Sequence, residues 1–433
     1  MCVGDEPTTQ PGEDASVVPD SGGGTDTSTG ADTAPSISDC EKRRADEATG
    51  VFVSINGADS ETCGTRLQPC QLVNTAIKRA ALLKKPNVFI ARGTYTEAIQ
   101  LLAGVTLDGG WDPVNSDWKP VCGTDSLSAT RFALAAAESR VVSADFTGDA
   151  TLRQLTIESK RPAKPGETVY GVFATKAKLV LESVVVAMGA GGDGSAGTKG
   201  TVGAIGDVRC AAGNASPGAA GPRGDVPVAG SFGETGYVAS NGASGKGATP
   251  GANGPCATNS NCTTTCTAGA PASVCTAGCN KPLSGCGGKP GTPGEGGMGG
   301  GSSIAVYGWS AKIVLKGGAF TAGSGGKGGA GGDGGEGGAG GPTTAEQLLC
   351  VSCAGTGCAT VGNQTLATGA LGGKGGNGGP GSGGAGGSSH AVYIGGPDAV
   401  LTTEQNPTLT AGQAGPGSDG SPAGTAAAVV APR

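Results

Sequence analysis

The chain has 433 residues, which is room for roughly two or three ordinary domains. Glycine supplies 87 residues, about a fifth of the chain, and aromatic residues supply only 3%. This composition excludes one large aromatic core and favours a narrow, repetitive one. The net charge is −6 and no basic tail or cation stripe is present, which excludes nucleic acid as a partner. No run of about eighteen apolar residues occurs, so the sequence predicts no membrane-spanning helix.

Residues 1–45 form a polar run rich in Asp, Glu, Ser, Thr, Gly and Pro, with Cys2 near its start. Such a composition cannot build a packed core, and we predict a disordered tether. The start resembles that of a mature bacterial lipoprotein, in which the cysteine after a removed signal peptide carries lipid. The resemblance implies lipidation of Cys2 and a location in the bacterial cell envelope, at the outer membrane or the cell surface. The alternative is an ordinary cysteine near a disordered start.

Residues 46–188 predict a cap followed by short strands. Val51 to Val53 predicts a strand, and the apolar stripe from Cys70 to Leu83 predicts a helix that Pro86 stops. Three short β-prone runs follow, separated by Gly93 and Gly104, and this punctuation is typical of the coils, or rungs, of a solenoid. These runs are Val88 to Ala91, Ile99 to Leu102 and Val105 to Leu107.

Residues 50–112 resemble the N-terminal cap of pectin-lyase-like right-handed parallel β-helices, in an uncharacterised family of bacterial surface proteins. The resemblance lies in GADSETCGT at 57–65, in the PCQLVNTAIKRA helix, and in ARGTYTEAIQL followed by GVTLDGGW. It implies an all-β solenoid with a short capping helix, since a terminal repeat needs a cap for solubility. The later glycine-rich insertions are similar to those of PGRS proteins.

Residues 189–433 predict further rungs of the same solenoid, interrupted by glycine-rich insertions that contain cysteine. Three segments align, each opening with a Val-aromatic pair: Val172-Phe173, Val306-Tyr307 and Val392-Tyr393. Each then has a second apolar run, which we align as Leu179 to Leu181, Ile313 to Leu315 and Ala399 to Leu401.

Glycine recurs every third residue between these rungs, for example in GGKGGAGGDGGEGGAGGP at 325–342. A period of three is the repeat of the polyproline II conformation. Proline is too scarce for collagen, so we predict short polyglycine II helices packed side by side through peptide hydrogen bonds. The alternative is a flexible linker. In packed helices the third residue of each triplet points outward, as its polarity suggests at Lys327, Asp333, Glu336, Lys374 and Asn377.

The cysteines favour disulfides in an exported, oxidising environment. Cys350, Cys353 and Cys358 include a zinc-knuckle spacing, but a fourth ligand is missing nearby and disulfides are the stronger interpretation. Cys122 is a candidate partner for Cys40. The fourteen disulfide candidates are Cys40, Cys63, Cys70, Cys122, Cys210, Cys256, Cys262, Cys266, Cys275, Cys279, Cys286, Cys350, Cys353 and Cys358.

β-Helix folds often carry polysaccharide lyases or hydrolases, whose catalysis needs clustered carboxylates with a basic partner. The carboxylates of the predicted rungs, Glu158, Glu182, Asp398 and Glu404, are spread over different rungs. Lys176, Lys178, Lys312 and Lys316 fit solvent-facing strand positions. A catalytic triad would depend on the sole histidine, His390, without a nucleophile motif. We therefore assign no catalytic residue.

Three weaker motifs remain. GAGGDGGEG at 330–338 is similar to a calcium-binding nonapeptide but lacks its large apolar residue, so no cofactor is assigned and calcium stays an alternative. RGD at 223–225 lies in a glycine-repeat run and is best explained by chance. An ice-binding face needs threonines in register; Thr321 and Thr410 qualify, whereas we align Met188 with them in the first rung.

The sequence thus predicts a non-catalytic, lipid-anchored surface protein with a structural or adhesive role. Its expected partner is an envelope polysaccharide or a surface protein, and its expected contact with the membrane is the lipid anchor alone. The first alternative is a polysaccharide lyase or hydrolase of the β-helix type. The second is a flexible glycine-rich coat.

Overall fold

A computed structural model describes residues 40–114, 117–123, 125–134, 138–159, 161–255, 284–354 and 357–432, with the backbone alone for 345–354 and 357–368. The predicted tether with Cys2, and five of the disulfide candidates between 256 and 283, lie outside these residues. Most of the described chain outside its glycine-rich runs is β-structure in one large sheet of 16 strands. The helix is α1 (Val73–Leu83). The strands are β1 (Gly50–Val53), β2 (Asn87–Ala91), β3 (Gly93–Tyr95), β4 (Ile99–Gln100), β5 (Thr106–Asp112), β6 (Lys119–Pro120), β7 (Thr130–Ala133), β8 (Arg140–Ser159), β9 (Val169–Met188), β10 (Ser231–Gly233), β11 (Gly236–Val238), β12 (Ser303–Trp309), β13 (Lys312–Lys316), β14 (Ala319–Thr321), β15 (Ala345–Ala354), β16 (Gly357–Thr368), β17 (Ser389–Gly395), β18 (Val400–Glu404), β19 (Thr408–Thr410) and β20 (Ala426–Val430).

The helix α1 begins three residues later than the sequence predicts. Cys70 forms a β-bridge with Val53 and a disulfide with Cys63, so it cannot enter the helix. Two carboxylates then satisfy the free N–H groups at the helix start. Asp59 Oδ1 accepts from the N–H groups of Gln71 and Leu72, and Glu97 accepts from those of Val73 and Asn74.

Three aligned repeats, residues 169–188, 303–321 and 389–410, stack in parallel. The predicted pairing of their first strands is confirmed, since Val306 lies opposite both Val172 and Val392. The predicted alignment of the third repeat's second strand is wrong by two residues, because Leu401 rather than Ala399 lies opposite Ile313. The cause is a longer corner: four residues separate β17 from β18, whereas two separate β12 from β13.

Left-handed residues mark the corners of each repeat. At the corner after the first strand, Lys176, Ser310 and Asp398 have φ values of 59°, 51° and 58°. At the next corner, Ser183 and Gly317 have φ values of 51° and 62°. A residue with this conformation turns the chain within one or two positions, so each repeat is divided into short extended segments.

The interior of the sheet is aliphatic, and its side chains repeat in register. Leu181 lies opposite Leu152 in one neighbouring strand and Leu315 in the other, and all three are fully buried. A second cluster is aromatic and lies beside residues 40–45; it contains Ala45, Phe52, Phe89, Ala91, Trp111 and Trp118. This arrangement gives the narrow core that the scarcity of aromatic residues predicts.

The glycine-rich runs form seven segments that we call the glycine array: 191–206 (G1), 213–224 (G2), 240–254 (G3), 285–301 (G4), 325–341 (G5), 372–387 (G6) and 412–424 (G7). Glycine N–H groups in one segment bond to carbonyl groups in another at every third residue. The N···O distances between G1 and G5, and between G5 and G4, are 2.7 to 2.8 Å in these bonds: Gly194 to Lys327, Gly197 to Ala330, Gly200 to Asp333, Gly329 to Met298, Gly332 to Glu295 and Gly335 to Thr292.

Glycine is required in the array because the segments approach each other through their backbones. A Cβ at Gly332 would lie 2.0 Å from the carbonyl oxygen of Thr198 in G1. The same residue also accepts a hydrogen bond from the N–H of Gly381 in G6. A side chain at this position would therefore push G5 away from G1 and disturb the bond to G6.

A hairpin of β10 and β11 joins the array to the sheet. The N–H of Tyr237 donates to the hydroxyl of Tyr170 on β9 at 2.7 Å, and the Tyr237 hydroxyl donates to Gly386 O in G6 at 3.2 Å. Beneath the hairpin, the rings of Phe173, Tyr307 and Tyr393 stack along successive repeats with centroid separations of 5.0 and 5.4 Å. The hairpin thus connects the two regions through aromatic packing and hydrogen bonds.

Three disulfides lie within the described residues: Cys40–Cys122, Cys63–Cys70 and Cys210–Cys286. The first confirms the predicted pairing of Cys40 with Cys122 and holds residues 40–45 over the aromatic cluster. Residues 40–45, which the sequence assigns to the tether, therefore include the buried Cys40 and Ala45. In the hairpin of β15 and β16, the backbone register pairs Cys353 with Cys358.

Candidate functional site

One face of the sheet carries a column of charges that alternate in sign. We call it the charge ladder: Asp108, Arg153, Glu182, Lys316 and Glu404. Each residue lies opposite the next one in neighbouring parallel strands. Arg153 contacts Glu182 at 3.1 Å, and Lys316 contacts Glu404 at 3.4 Å. Opposite charges on adjacent strands attract, so the ladder favours this register of the sheet.

The first position of the ladder is buried by the N-terminal segment. Arg43 Nη2 lies 2.6 Å from Asp108 Oδ1, and the guanidinium lies over the Trp111 ring at 4.7 Å. Burial raises the pKa of the Asp108 carboxyl, and the positive charges of Arg43 and Arg153 oppose that rise. The carboxylate is therefore enclosed by a structural ion pair beneath residues 40–45.

The remaining charged candidates are divided between this face and other places. Lys178 pairs with Asp149 at 3.3 Å and Lys176 with Glu234 at 2.6 Å. Lys312 lies opposite Lys178 and is exposed. Arg131 contacts Glu158 at 2.5 Å on another strand pair. Asp398 lies at a corner.

The ladder brings together candidates that the sequence analysis leaves scattered, because Glu182 and Glu404 flank Lys316. Aligning KLVLE at 178–182 with KIVLK at 312–316 places Glu182 opposite Lys316 from sequence alone. The contribution of Asp108 has no such signal, since it depends on the packing of Arg43.

The described site has the chemistry of a paired, polar surface. A lyase or a hydrolase needs a carboxylate or a cation placed to exchange a proton with substrate, in a groove that excludes water. Here, the ladder side chains of Arg153, Glu182, Lys316 and Glu404 are 35% to 48% exposed. The described residues form cavities of about 530, 420 and 400 Å³, and none of these three is lined by those four residues.

The outward residues of the array are placed as their polarity predicts. Lys327, Asp333 and Glu336 on G5 and Lys374 and Asn377 on G6 are exposed, and the glycines between them are buried or half-buried. In the calcium-like run at 330–338, the carbonyl groups of Ala330, Asp333 and Glu336 accept hydrogen bonds from G1. Those backbone oxygens are thus used within the array.

The RGD residues are likewise tied to the array. Arg223 Nη1 donates to Gly381 O at 3.4 Å, and Asp225 pairs with Lys246 at 3.2 Å. These contacts explain both charges structurally.

Metal-ligand geometry among the described residues is limited to Asp59 with Cys63 and Cys70. The two sulfur atoms are bonded to each other, and Asp59 caps α1, so all three groups have structural partners. His390 is buried, with Nδ1 3.3 Å from Ala427 O and Nε2 3.2 Å from Thr425 Oγ1. Burial lowers the pKa of His390.

The threonine column differs from its predicted alignment by one residue. Thr321 lies opposite Thr410 on one side and opposite Ala187, not Met188, on the other, because the register pairs Phe320 with Val186. Met188 is buried instead. The column therefore contains alanine followed by two threonines.

No protein-family model matches the sequence. No curated protein matches it either. Among solved structures, pectin methylesterase from carrot is similar with a TM-score of 0.22 and 12% sequence identity, over 34% of this chain. The match spans about half (49%) of the carrot enzyme. A likeness of this size supports no conclusion about activity.

Proposed function

We propose that this chain is a non-catalytic surface protein of the bacterial cell envelope, anchored by lipid on Cys2, with a structural or adhesive role. The observation that carries the proposal is the glycine array, in which peptide groups bond between segments and polar residues face outward. Such an array has no apolar interior, because its segments are joined by peptide hydrogen bonds. It therefore presents a broad polar surface to the solvent.

The proposed architecture is a right-handed parallel β-helix whose insertions pack as polyglycine II helices. The parallel repeats with left-handed corners support the first part. The three-residue hydrogen-bond period supports the second, since the polyproline II conformation has three residues per turn. The order of the segments agrees with this architecture. G1 follows β9, which ends at Met188, and G5 follows β14, which ends at Thr321, and these two strands are paired in parallel.

Disulfides and ion pairs fit a protein exposed outside the cell. Three disulfides are typical of an oxidising, exported environment. Within the described residues, the structure contains no helix long and apolar enough to cross a bilayer. We infer that polar glycan, or a neighbouring surface protein, is the partner of the array and the charge ladder.

The test is incubation of the oxidised full chain with acidic and neutral polysaccharides, with and without calcium, followed by sedimentation and measurement of glycan chain length. We expect co-sedimentation with chain length unchanged. Shortened chains or new unsaturated ends would replace the proposal with the lyase or hydrolase alternative.

Variants identify the binding surface in the same assay. Lys327→Glu with Lys374→Glu reverses two exposed cations of the array, and Lys312→Glu with Lys316→Glu reverses two cations of the sheet face. If acidic glycan binds, we expect one pair to weaken co-sedimentation while the other serves as its control. Equal loss in both pairs would indicate a nonspecific charge effect and contradict a defined adhesive surface.

A further inference from the structure

The outward face of α1 is apolar at its tip, although its inner face already supplies the cap. Val73, Ala76, Ile77 and Ala80 are buried against the sheet. On the opposite side, Leu82 and Leu83 are 75% and 46% exposed. Two neighbouring exposed leucines beside a row of cations make this helix tip a candidate contact surface.

This apolar tip is surrounded by cations. Residues 73–85 contain Lys78, Arg79, Lys84 and Lys85 and no acidic residue, a charge of +4. The whole chain has a net charge of −6, so the other residues together carry −10. Lys78 and Lys84 are exposed and make no ion pair within the described part of the chain.

Two acidic residues lie beside this face. Asp59 and Glu61 line an open groove of about 530 Å³ with Lys78, Arg79 and Leu82. Asp59 caps the start of α1, and Glu61 accepts from Arg79 through its backbone carbonyl. With these two carboxylates counted against the four cations, the face keeps a net charge of +2.

The chemistry of this face selects its occupant. A second copy bound about a two-fold axis would bring two net positive surfaces together, which is unfavourable. A helix with apolar residues between lysines and arginines is instead typical of proteins that lie on anionic membranes.

The position of the face agrees with that occupant. Lys85 Nζ lies 2.6 Å from Glu47 O, next to residues 40–45, where the stretch that begins with Cys2 joins the described fold. The helix thus lies close to the first described residues, on the side of the sequence that carries the proposed lipid anchor.

We propose that the outward face of α1 docks on an anionic lipid surface. Leu82 and Leu83 enter the headgroup region, and Lys78 and Lys84 contact lipid phosphates. The proposal depends on the proposed function only in placing this protein beside a membrane. It adds a protein–lipid contact to the anchor.

The test uses the full chain with Cys2→Ser, so that no lipid anchor contributes. Partition is measured by flotation with vesicles of phosphatidylglycerol and phosphatidylethanolamine, and with phosphatidylcholine vesicles. We expect binding to the anionic vesicles alone, and weaker binding at higher salt. Absence of binding to anionic vesicles, or equal binding to both compositions, would overturn the proposal.

Two variants separate its components. Lys78→Gln with Lys84→Gln should lower the partition constant by roughly thirtyfold, since each cation near an anionic surface contributes about a fivefold increase. Leu82→Ser with Leu83→Ser should lower it by about tenfold or more. The matched control is Leu371→Ser with Lys374→Gln, which changes an exposed leucine and lysine on the array and should leave partition unchanged.

Circular dichroism melting of each variant checks that the fold is retained, since all six side chains are exposed. An equal loss in the control would contradict the role of α1. A lower sedimentation coefficient of the α1 variants without vesicles would show that this face joins two copies of the chain, which would also overturn the proposal. The α1 variants should retain polysaccharide binding, so failure of lipid binding and failure of glycan binding are distinguishable.

Discussion

The parallel sheet and the glycine array are held together by opposite means. In the sheet, fully buried side chains such as Leu152, Leu181 and Leu315 stack from strand to strand. In the array, peptide groups bond between segments, and a single added Cβ at Gly332 would approach a carbonyl oxygen to 2.0 Å. The sheet is therefore sensitive to losing atoms, and the array is sensitive to gaining them.

This difference explains how a chain so poor in large side chains can still be ordered. The conformational entropy of glycine opposes folding, and each peptide hydrogen bond offsets only part of it. The periodicity of the array favours its folding, because each hydrogen bond between two segments sets the register for the next one, three residues away. The sheet supplies that starting register where G1 and G5 leave stacked strands.

Leu181→Ala should be the most destabilising single change. The substitution leaves a cavity between Leu152 and Leu315, and we expect the free energy of unfolding to decrease by about 2–5 kcal/mol. Denaturant titration measures the change. Val180→Ala on the outward side of the same strand is the control and should cost clearly less; equal costs would contradict the assignment of the core.

Gly332→Ala should destabilise the array by about 1–3 kcal/mol, because the methyl group collides with backbone in G1. Gly247→Ala is the matched control: Gly247 lies in G3, and a Cβ there meets no atom within 4 Å. We expect the control to be neutral or slightly stabilising. Thermal unfolding compares the two; equal behaviour would mean that the segments are not in close contact.

His390 should make the junction of β17 and β20 sensitive to acid. Because burial lowers the folded-state pKa of His390, the neutral ring contributes stability that is present at higher pH. That contribution is lost as pH decreases below the unfolded-state pKa of about 6.5, since the unfolded state then binds the proton. His390→Gln should reduce the slope of the free energy of unfolding against pH between about pH 7 and pH 5, the interval in which histidine titrates. An unchanged slope would exclude the histidine as its source.

Glu182→Gln should have the smallest effect. Its ion-pair partner Arg153 and the opposing Lys316 lie on an exposed face, and an exposed ion pair contributes at most about 1 kcal/mol. A double-mutant cycle with Arg153→Gln measures the coupling, which should decrease at high salt. A coupling that is independent of salt would contradict a solvent-exposed ladder.

Much of the fold follows from short-range pattern. The helix, the first strands of the three repeats and the outward residues of the array follow from spacing, since each reflects the burial of alternate or third positions. The offset in the third repeat could not be predicted in the same way. Its corner is two residues longer, and glycine, proline and aspartate at 396–398 do not specify the length of a turn.

The candidate site was less accessible to sequence reasoning. Glu182 and Lys316 become neighbours only once two distant strands are aligned. Asp108 joins them because Arg43, 65 residues earlier, folds over it. The outward apolar tip of α1 follows from its sequence only after Ala76, Ile77 and Ala80 are known to face the sheet.

Amide hydrogen exchange in protein selectively labelled with 15N-glycine tests the central claim, that the array is held by peptide hydrogen bonds. Gly332 donates to Glu295 O at 2.8 Å, whereas Gly334, two residues later, donates no hydrogen bond among the described residues. The account predicts slow exchange at Gly332, Gly329 and Gly335 and fast exchange at Gly334 and Gly247. Uniformly fast exchange at all five glycines would show that the runs are flexible linkers.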